Sequence, residues 1–258
     1  MPRDNRVVDN RVVDNPAIEQ ANSTAQQSAP AVAPLLLASA SPRRREILSL
    51  LGVPFEVCPA ANEPPPPAGL TPAEAAVAVA RAKAEQVAAV HSGRAVLGAD
   101  TMVVLDNRLL GKPRDAADAK AMLRALQGRE HEVVTGVWLI AAGGRAANGR
   151  AVDGRAVGGR GHGFADTARV TFLPMSEEDI NVYIATGEPM DKAGAYGVQG
   201  VGGRYIARVD GDFYTVMGLP AQKLLEMREF GDIIFKCKGL PPSLETGRNA
   251  VIDPETQE

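Results

Sequence analysis

The chain has 258 residues, of which 45% are hydrophobic, and its 28 lysines and arginines against 31 aspartates and glutamates give a formal net charge of −3. That apolar content suffices for one large domain, and the slightly acidic balance excludes a global positive field recruiting nucleic acid or a membrane surface. No apolar run approaches the ~20 residues that span a bilayer, the first residues lack a secretory pattern, and two cysteines, Cys58 and Cys237, are too few for a disulfide framework or a four-thiolate zinc site, so a cytoplasmic setting is expected.

Residues 1–33 hold the repeat Asp4-Asn5-Arg6-Val7-Val8, Asp9-Asn10-Arg11-Val12-Val13 and then Ala, Gln, Ser and Pro, a composition that seldom packs, so a disordered extension is expected there. Leu35 to Ala38 reads as a short buried strand. A helix follows from Pro42 to Leu51, with Ser41 at the N-cap, proline at the first helical position and Gly52 at the C-terminal end. Thr71-Pro72-Ala73-Glu74 is a capping box that opens a helix to about Val90 with Val77, Ala80, Ala84 and Val87 on one face. Ala95 to Leu105 reads as an apolar strand broken at Gly98-Ala99-Asp100-Thr101, and Asp106-Asn107-Arg108 as a turn into Leu109-Leu110-Gly111-Lys112-Pro113. A third helix spans Asp115 to Leu126 and stops at Gly128.

The strands His131 to Ala142 and Ala165 to Leu173 are expected to pair antiparallel. Between them a Gly-Arg-Ala motif recurs every five residues, read as a flexible insertion over 143–163 whose arginines are solvated, with contact to nucleic acid the less favoured use. A helix from Ser176 to Thr186 ends at Gly187, glycine-rich chain runs from Gly194 to Gly203, a strand covers Arg204 to Val209, and a last helix starts near Pro220. Residues 238–258 read as a tail. The alternation predicts a single α/β domain over 34–237 built on a twisted mixed sheet flanked by helices.

The chemistry-bearing residues fall in four places. At the first strand-helix junction, Ser39, Ser41, Arg43 and Arg44 surround a helix start, where free amides and the helix dipole favour an anion and guanidinium forks match phosphate oxygens. Asp100 is a carboxylate inside an apolar strand, a costly position unless something pairs with it. Lys83 interrupts an Ala/Val helix, Lys112 follows a glycine, and Glu63 precedes four prolines that stiffen its backbone. Finally, Glu188 to Gly200 brings Asp191, Lys192, Tyr196 and Gln199 together with three glycines that permit close backbone approach. No Walker lysine follows these glycines, which excludes a P-loop. His91, His131 and His162 lie far apart and read as structural or solvated.

Together, Ser39-Ala40-Ser41-Pro42-Arg43-Arg44, Gly98-Ala99-Asp100-Thr101, Gly111-Lys112-Pro113 and Asp191-Lys192-Ala193-Gly194-Ala195-Tyr196 with Gln199-Gly200 resemble the Maf family of nucleoside triphosphate pyrophosphatases, in the right order over roughly Leu35 to Phe230. The resemblance implies a two-lobed α/β fold related to that of inosine triphosphatase, often dimeric, with an extended mixed sheet and a cleft between the lobes. It implies hydrolysis of a nucleoside triphosphate to the monophosphate and pyrophosphate with a divalent cation, Mg²⁺ or Mn²⁺. In such a site Asp100 is the proton acceptor and Arg43, Thr101 and Gln199 select the base. Ser39, Arg44, Lys83 and Lys112 contact phosphates, Lys192 also binds substrate, and Glu63 and Asp100 hold the metal. The form of the motifs resembles the branch acting on dTTP and UTP in the cleansing of nucleotide pools. A nucleotide-binding regulator of cell division and septum formation is the alternative. The insertion and both tails depart from the family, and Phe213 to Pro220 only approximates its final motif.

Overall fold

In the computed structural model of the chain, the structure describes residues 33–142, 161–227, 230, 231 and 233, all within one compact unit, Val32–Glu258. The expected N-terminal extension, most of the arginine-rich insertion, the C-terminal tail and Cys237 lie outside the described residues. The elements are β1 (Leu35–Leu37), α1 (Pro42–Leu50), β2 (Phe55–Val57), α2 (Pro72–Val90), β3 (Val96–Leu105), β4 (Arg108–Leu110), α3 (Ala116–Leu126), β5 (Glu130–Ile140), β6 (Gly161–Phe172), α4 (Glu177–Ala185), β7 (Ile206–Asp210), α5 (Phe213–Met217) and α6 (Ala221–Glu226). Short 3₁₀ turns at Glu188–Asp191, Ala193–Ala195 and Val201–Tyr205 link α4 to β7.

The strands form one seven-stranded mixed sheet in the order β2-β1-β3-β5-β6-β7, with β4 paired to the far end of β3. Parallel pairing joins β1 to β2 and β3, while β3, β5, β6 and β7 run antiparallel in sequence. Alternation along β3 sends its side chains to two faces. Val96, Met102 and Val104 pack on Ala76, Val79, Ala80 and Ala84 of α2. Leu97 and Ala99 pack instead with Ile47 and Leu48 of α1, Met217 and Leu224, whereas Val103 and Leu105 pack with Leu123 and Leu126 of α3 and Ile180 of α4. The opposite face therefore carries two apolar cores, one at each end of the strands, and these are the two lobes; β3 and β5 run through both.

Two glycines set the distance between α2 and the sheet. A methyl group on Gly98 would lie 2.1 Å from the Ala80 carbonyl oxygen, and one on Gly136 would lie 2.2 Å from the Ala76 carbonyl carbon. The capping box at the start of α2 is complete, with Glu74 N donating to Thr71 Oγ1 at 3.3 Å and Thr71 N donating to Glu74 Oε2 at 3.0 Å. It fixes where the helix begins and so which residues meet the glycines.

Several expectations are corrected. β3 is continuous through Gly98-Ala99-Asp100-Thr101, because Gly98 serves the approach of α2 and the antiparallel ladder to β5 holds every residue from Val96 to Val104. β6 begins at Gly161, so the last three residues assigned to the insertion belong to a strand, paired with Ile140, Leu139 and Trp138. β7 starts at Ile206, since Arg204 and Tyr205 close a 3₁₀ turn. Ser41 occupies the N-cap of α1, yet its side chain makes no capping bond.

The ladders also leave a gap. Leu36 and Leu37 of β1 pair with Val96 and Leu97, and β4 pairs with Val103 to Leu105. Between those stretches, among the described residues, 98–102 have a ladder partner only on β5. The open edge of β3 faces a cleft there. No described helix is long and apolar enough to cross a membrane.

Candidate active site

The cleft has a volume of about 370 Å³ and is bounded by the β1–α1 junction, the loop before α2, the middle of β3, Lys112 and the 3₁₀ turns. Because the β3 edge is open, side chains from both faces of the sheet reach it. Asp100 enters from the α2 face and Thr101 from the face of α1 and α5.

On the α2 face, Lys83 lies in the buried stripe of the helix at 7% side-chain exposure, and its Nζ donates to Asp100 Oδ1 at 2.7 Å and to Glu63 Oε1 at 2.5 Å. The ammonium compensates the carboxylate buried in an apolar strand and binds the proline-rich loop to it. Lys112 Nζ lies 3.5 Å from Glu63 Oε2. The bond from Lys83 pulls the Glu63 carboxyl below its ordinary value, against the opposing effect of partial burial. Gln86, one turn after Lys83, completes the arrangement: its side chain accepts from Asn62 N and donates to Asn62 O, both at 3.1 Å, and so holds the residue before Glu63.

On the other face, Arg44 is 8% exposed and has no carboxylate within ion-pair distance among the described residues. Its Nε donates to Gly218 O at 2.8 Å, Nη1 to Ser39 Oγ at 2.8 Å and Nη2 to Thr101 Oγ1 at 3.2 Å. Burial lowers its pKa, with the charge of Asp100 opposing, but an arginine remains cationic at neutral pH. Three neutral acceptors thus orient a buried cation and leave further guanidinium protons for a ligand. Ser41 N donates to Ser39 Oγ at 3.2 Å. With Ser41 not capping α1, the donors of that first turn are left for an anion.

The glycine-rich segment forms the third wall. Lys192 Nζ donates to Glu188 O at 2.7 Å and to Asp191 Oδ1 at 2.6 Å. Glu188 organises the turn, its carboxylate accepting from Tyr183 Oη, Val201 N and Gly202 N at 2.8, 2.7 and 3.1 Å. A methyl group on Gly200 would lie 2.2 Å from Glu188 Oε2 and would displace that carboxylate from its bonds. Tyr196 lines the cleft, and its hydroxyl lies 2.7 Å from Nε2 of the buried His131. Burial lowers the His131 pKa to about 4, so this histidine is a neutral structural group.

Of the ten residues to which the family resemblance gives a role, nine line this one cleft: Ser39, Arg43, Arg44, Glu63, Lys83, Asp100, Thr101, Lys112 and Lys192. Gln199 does not; it is exposed, and its Nε2 reaches Glu46 Oε2 of α1 at 3.3 Å, while its neighbour Val198 lines the cleft. The lining holds five cations (Arg43, Arg44, Lys83, Lys112, Lys192) and three carboxylates (Glu63, Asp100, Asp191), 5 − 3 = +2, although the whole chain is at −3. Sequence reasoning missed Gln86, Glu188, the backbone of Gly218 and Thr135, whose buried hydroxyl lies 2.9 Å from that of Thr101. Each acts through a contact distant in sequence, or on a turn, and only the glutamate's place just after a helix-ending glycine hinted at a role.

Among the described residues no three metal-ligating side chains cluster. Glu63 and Asp100 nevertheless share Lys83, and only Oδ1 of Asp100 is engaged among the described residues. Two carboxylates completed by phosphate oxygens suit a hard cation such as Mg²⁺, so the donor set fits a divalent ion shared with a substrate.

A family model described as Maf-like protein matches residues 34–229. A dTTP/UTP pyrophosphatase of Bacillus cytotoxicus is 45% identical over 196 residues, covering 76% of this chain and 94% of that protein. Proteins of the same name from Bacillus velezensis and Bacillus mycoides are 44% and 42% identical over 197 residues, covering 76% of this chain and 96% and 95% of their own lengths.

Proposed function

We propose, from the premise that this chain belongs to the Maf-like protein family, that its cleft hydrolyses dTTP and UTP to the monophosphate and pyrophosphate, removing surplus or modified pyrimidine triphosphates from the nucleotide pool. The observation that carries this reading is the meeting of Asp100 with Arg44 and four further cations at the open edge of β3. A triphosphate needs that excess of positive charge, and water attacking it needs one carboxylate to orient it.

In this reading Asp100 accepts a proton from water as the water oxygen bonds to the α-phosphorus. The bond from that phosphorus to the bridging oxygen breaks, and pyrophosphate departs with the electron pair. Lys83 holds Asp100 Oδ1 at 2.7 Å and so fixes the carboxylate that takes the proton. Arg44, Ser39, Lys83 and Lys112 meet charge developing on the phosphate oxygens, with Arg44 and Lys83 already oriented by the bonds described above. Arg43 and Thr101 face the base, with Lys192 beside them; Gln199 has its amide on Glu46 and joins them only if that 3.3 Å contact gives way. Glu63 and Asp100 would hold a divalent cation, Mg²⁺ or Mn²⁺, which when bound neutralises phosphate charge. The half-buried Cys58, a free thiol, accords with a cytoplasmic setting.

Asp100→Asn tests the assignment. Pyrophosphate release from dTTP and UTP is expected to fall by at least about a hundredfold, the scale of removing a catalytic base, in a protein that still folds, since Lys83 keeps its bond to Glu63. Turnover near that of the unsubstituted protein would reject the role of Asp100.

A further inference from the structure

The hydroxyl groups behind Arg44 run in a fixed sense. The Thr215 carbonyl can only accept, so Thr135, which bonds it at 2.8 Å, gives its single proton there. The 2.9 Å contact between Thr101 Oγ1 and Thr135 Oγ1 is therefore donated by Thr101. One lone pair of Thr101 takes a proton from Arg44 Nη2, and what remains for the cleft is the other lone pair. Ser39 has the opposite polarity: its oxygen accepts from Arg44 Nη1 and from Ser41 N, which leaves its proton to donate.

The far end of this chain is anchored. Thr135 and Thr215 are fully buried. Thr215 Oγ1 donates to Asp166 Oδ2 at 2.5 Å, and Lys223 Nζ holds the other oxygen of Asp166 at 2.7 Å. The Thr215 carbonyl is further fixed by Gly218 N at 3.1 Å in the turn that ends α5.

We infer that Thr135 is a positioning residue for base selection: by drawing the Thr101 proton into the core, it leaves the cleft a hydrogen-bond acceptor that matches the N3–H of uracil or thymine and opposes the N3 lone pair of cytosine. The inference rests on the reading above, in which Thr101 meets the base. It goes further in tracing the discrimination to a residue that touches no ligand. The rejection is the kind in which a polar group left facing a like partner is costly.

The test follows pyrophosphate release from UTP, CTP and N3-methyl-UTP by the full chain and by Thr135→Val and Thr135→Ser. In Thr135→Val the Thr101 hydroxyl is free to turn its proton into the cleft. The UTP-over-CTP ratio of kcat/KM is expected to fall roughly tenfold or more, the worth of one hydrogen bond, carried by KM rather than kcat. Thr135→Ser restores the donor and with it the ratio, and the unsubstituted chain rejects N3-methyl-UTP as it rejects CTP. Should the valine variant not fold, Thr135→Ala takes its place. An unchanged ratio in the folded valine or alanine variant, a serine variant as unselective as these, or N3-methyl-UTP consumed as readily as UTP would each overturn the inference alone. Failure of the unsubstituted chain to act on any pyrimidine triphosphate would instead overturn the functional reading, and this inference with it.

Discussion

At the scale of single residues, the site depends on polar groups buried with the right partner. His131 has one ring nitrogen on Tyr196 and the other, Nδ1, buried without a partner among the described residues, and its pKa falls to about 4. The unfolded chain binds a proton at this position near the ordinary histidine value of about 6.5, whereas the folded chain resists until about 4. Stability from this group is thus complete above about pH 6.5 and is lost as pH falls toward 4, a change of about 3 kcal/mol. Denaturant unfolding at pH 7, 5.5 and 4.5 checks this, since His131→Gln is expected to lose less stability over that range than the unsubstituted protein. Asp100 was legible in the sequence for a related reason, as a carboxylate in an apolar run implies a partner. That the partner is Lys83 was not legible, because the two lie 17 positions apart, one on a helix and one on a strand.

At the scale of elements, the approach of α2 to the sheet decides whether Lys83 reaches Asp100. Gly98→Ala would drive a methyl group into the Ala80 carbonyl, and a loss of about 2 kcal/mol or more is expected, together with reduced pyrophosphate release as the helix lifts. Gly111→Ala, where the added methyl meets nothing within 4 Å, is the control and is expected to leave the thermal transition unchanged. Helices were read well from sequence because their ends are written in local chemistry: the Thr71–Glu74 box and the proline at position 42 stand where those helices begin. Gly98 was misread as a break, since a glycine that makes room for a helix and one that interrupts a strand look alike without the partner. The short β2 and the five-residue α5 carry too few residues for a period to show. Yet α5 supplies the Thr215 carbonyl, and the turn that follows it supplies the Gly218 carbonyl that orients Arg44.

At the scale of the whole molecule, the charge is divided. A chain at −3 concentrates a lining of +2 in one cleft, so attraction of a triphosphate is local and short-ranged. Raising added salt from about 0.05 to 0.5 M is expected to lower kcat/KM for UTP several-fold while kcat changes little, because screening shortens to a few ångströms; a flat profile would mean that the cations are neutralised within the protein. The mixed sheet and its flanking helices were legible from the alternation of patterns. The gap in the ladder was not, since it arises from where β1 stops and β4 begins relative to β3. That one-sided stretch has an evolutionary corollary. Even-numbered positions there look toward α2 and Lys83, and odd-numbered ones toward Arg44 and α5. A substitution there is felt first on one side of the sheet, by the lysine and its carboxylates or by the arginine and its hydroxyls, a modularity inherited from the pleat of a single strand.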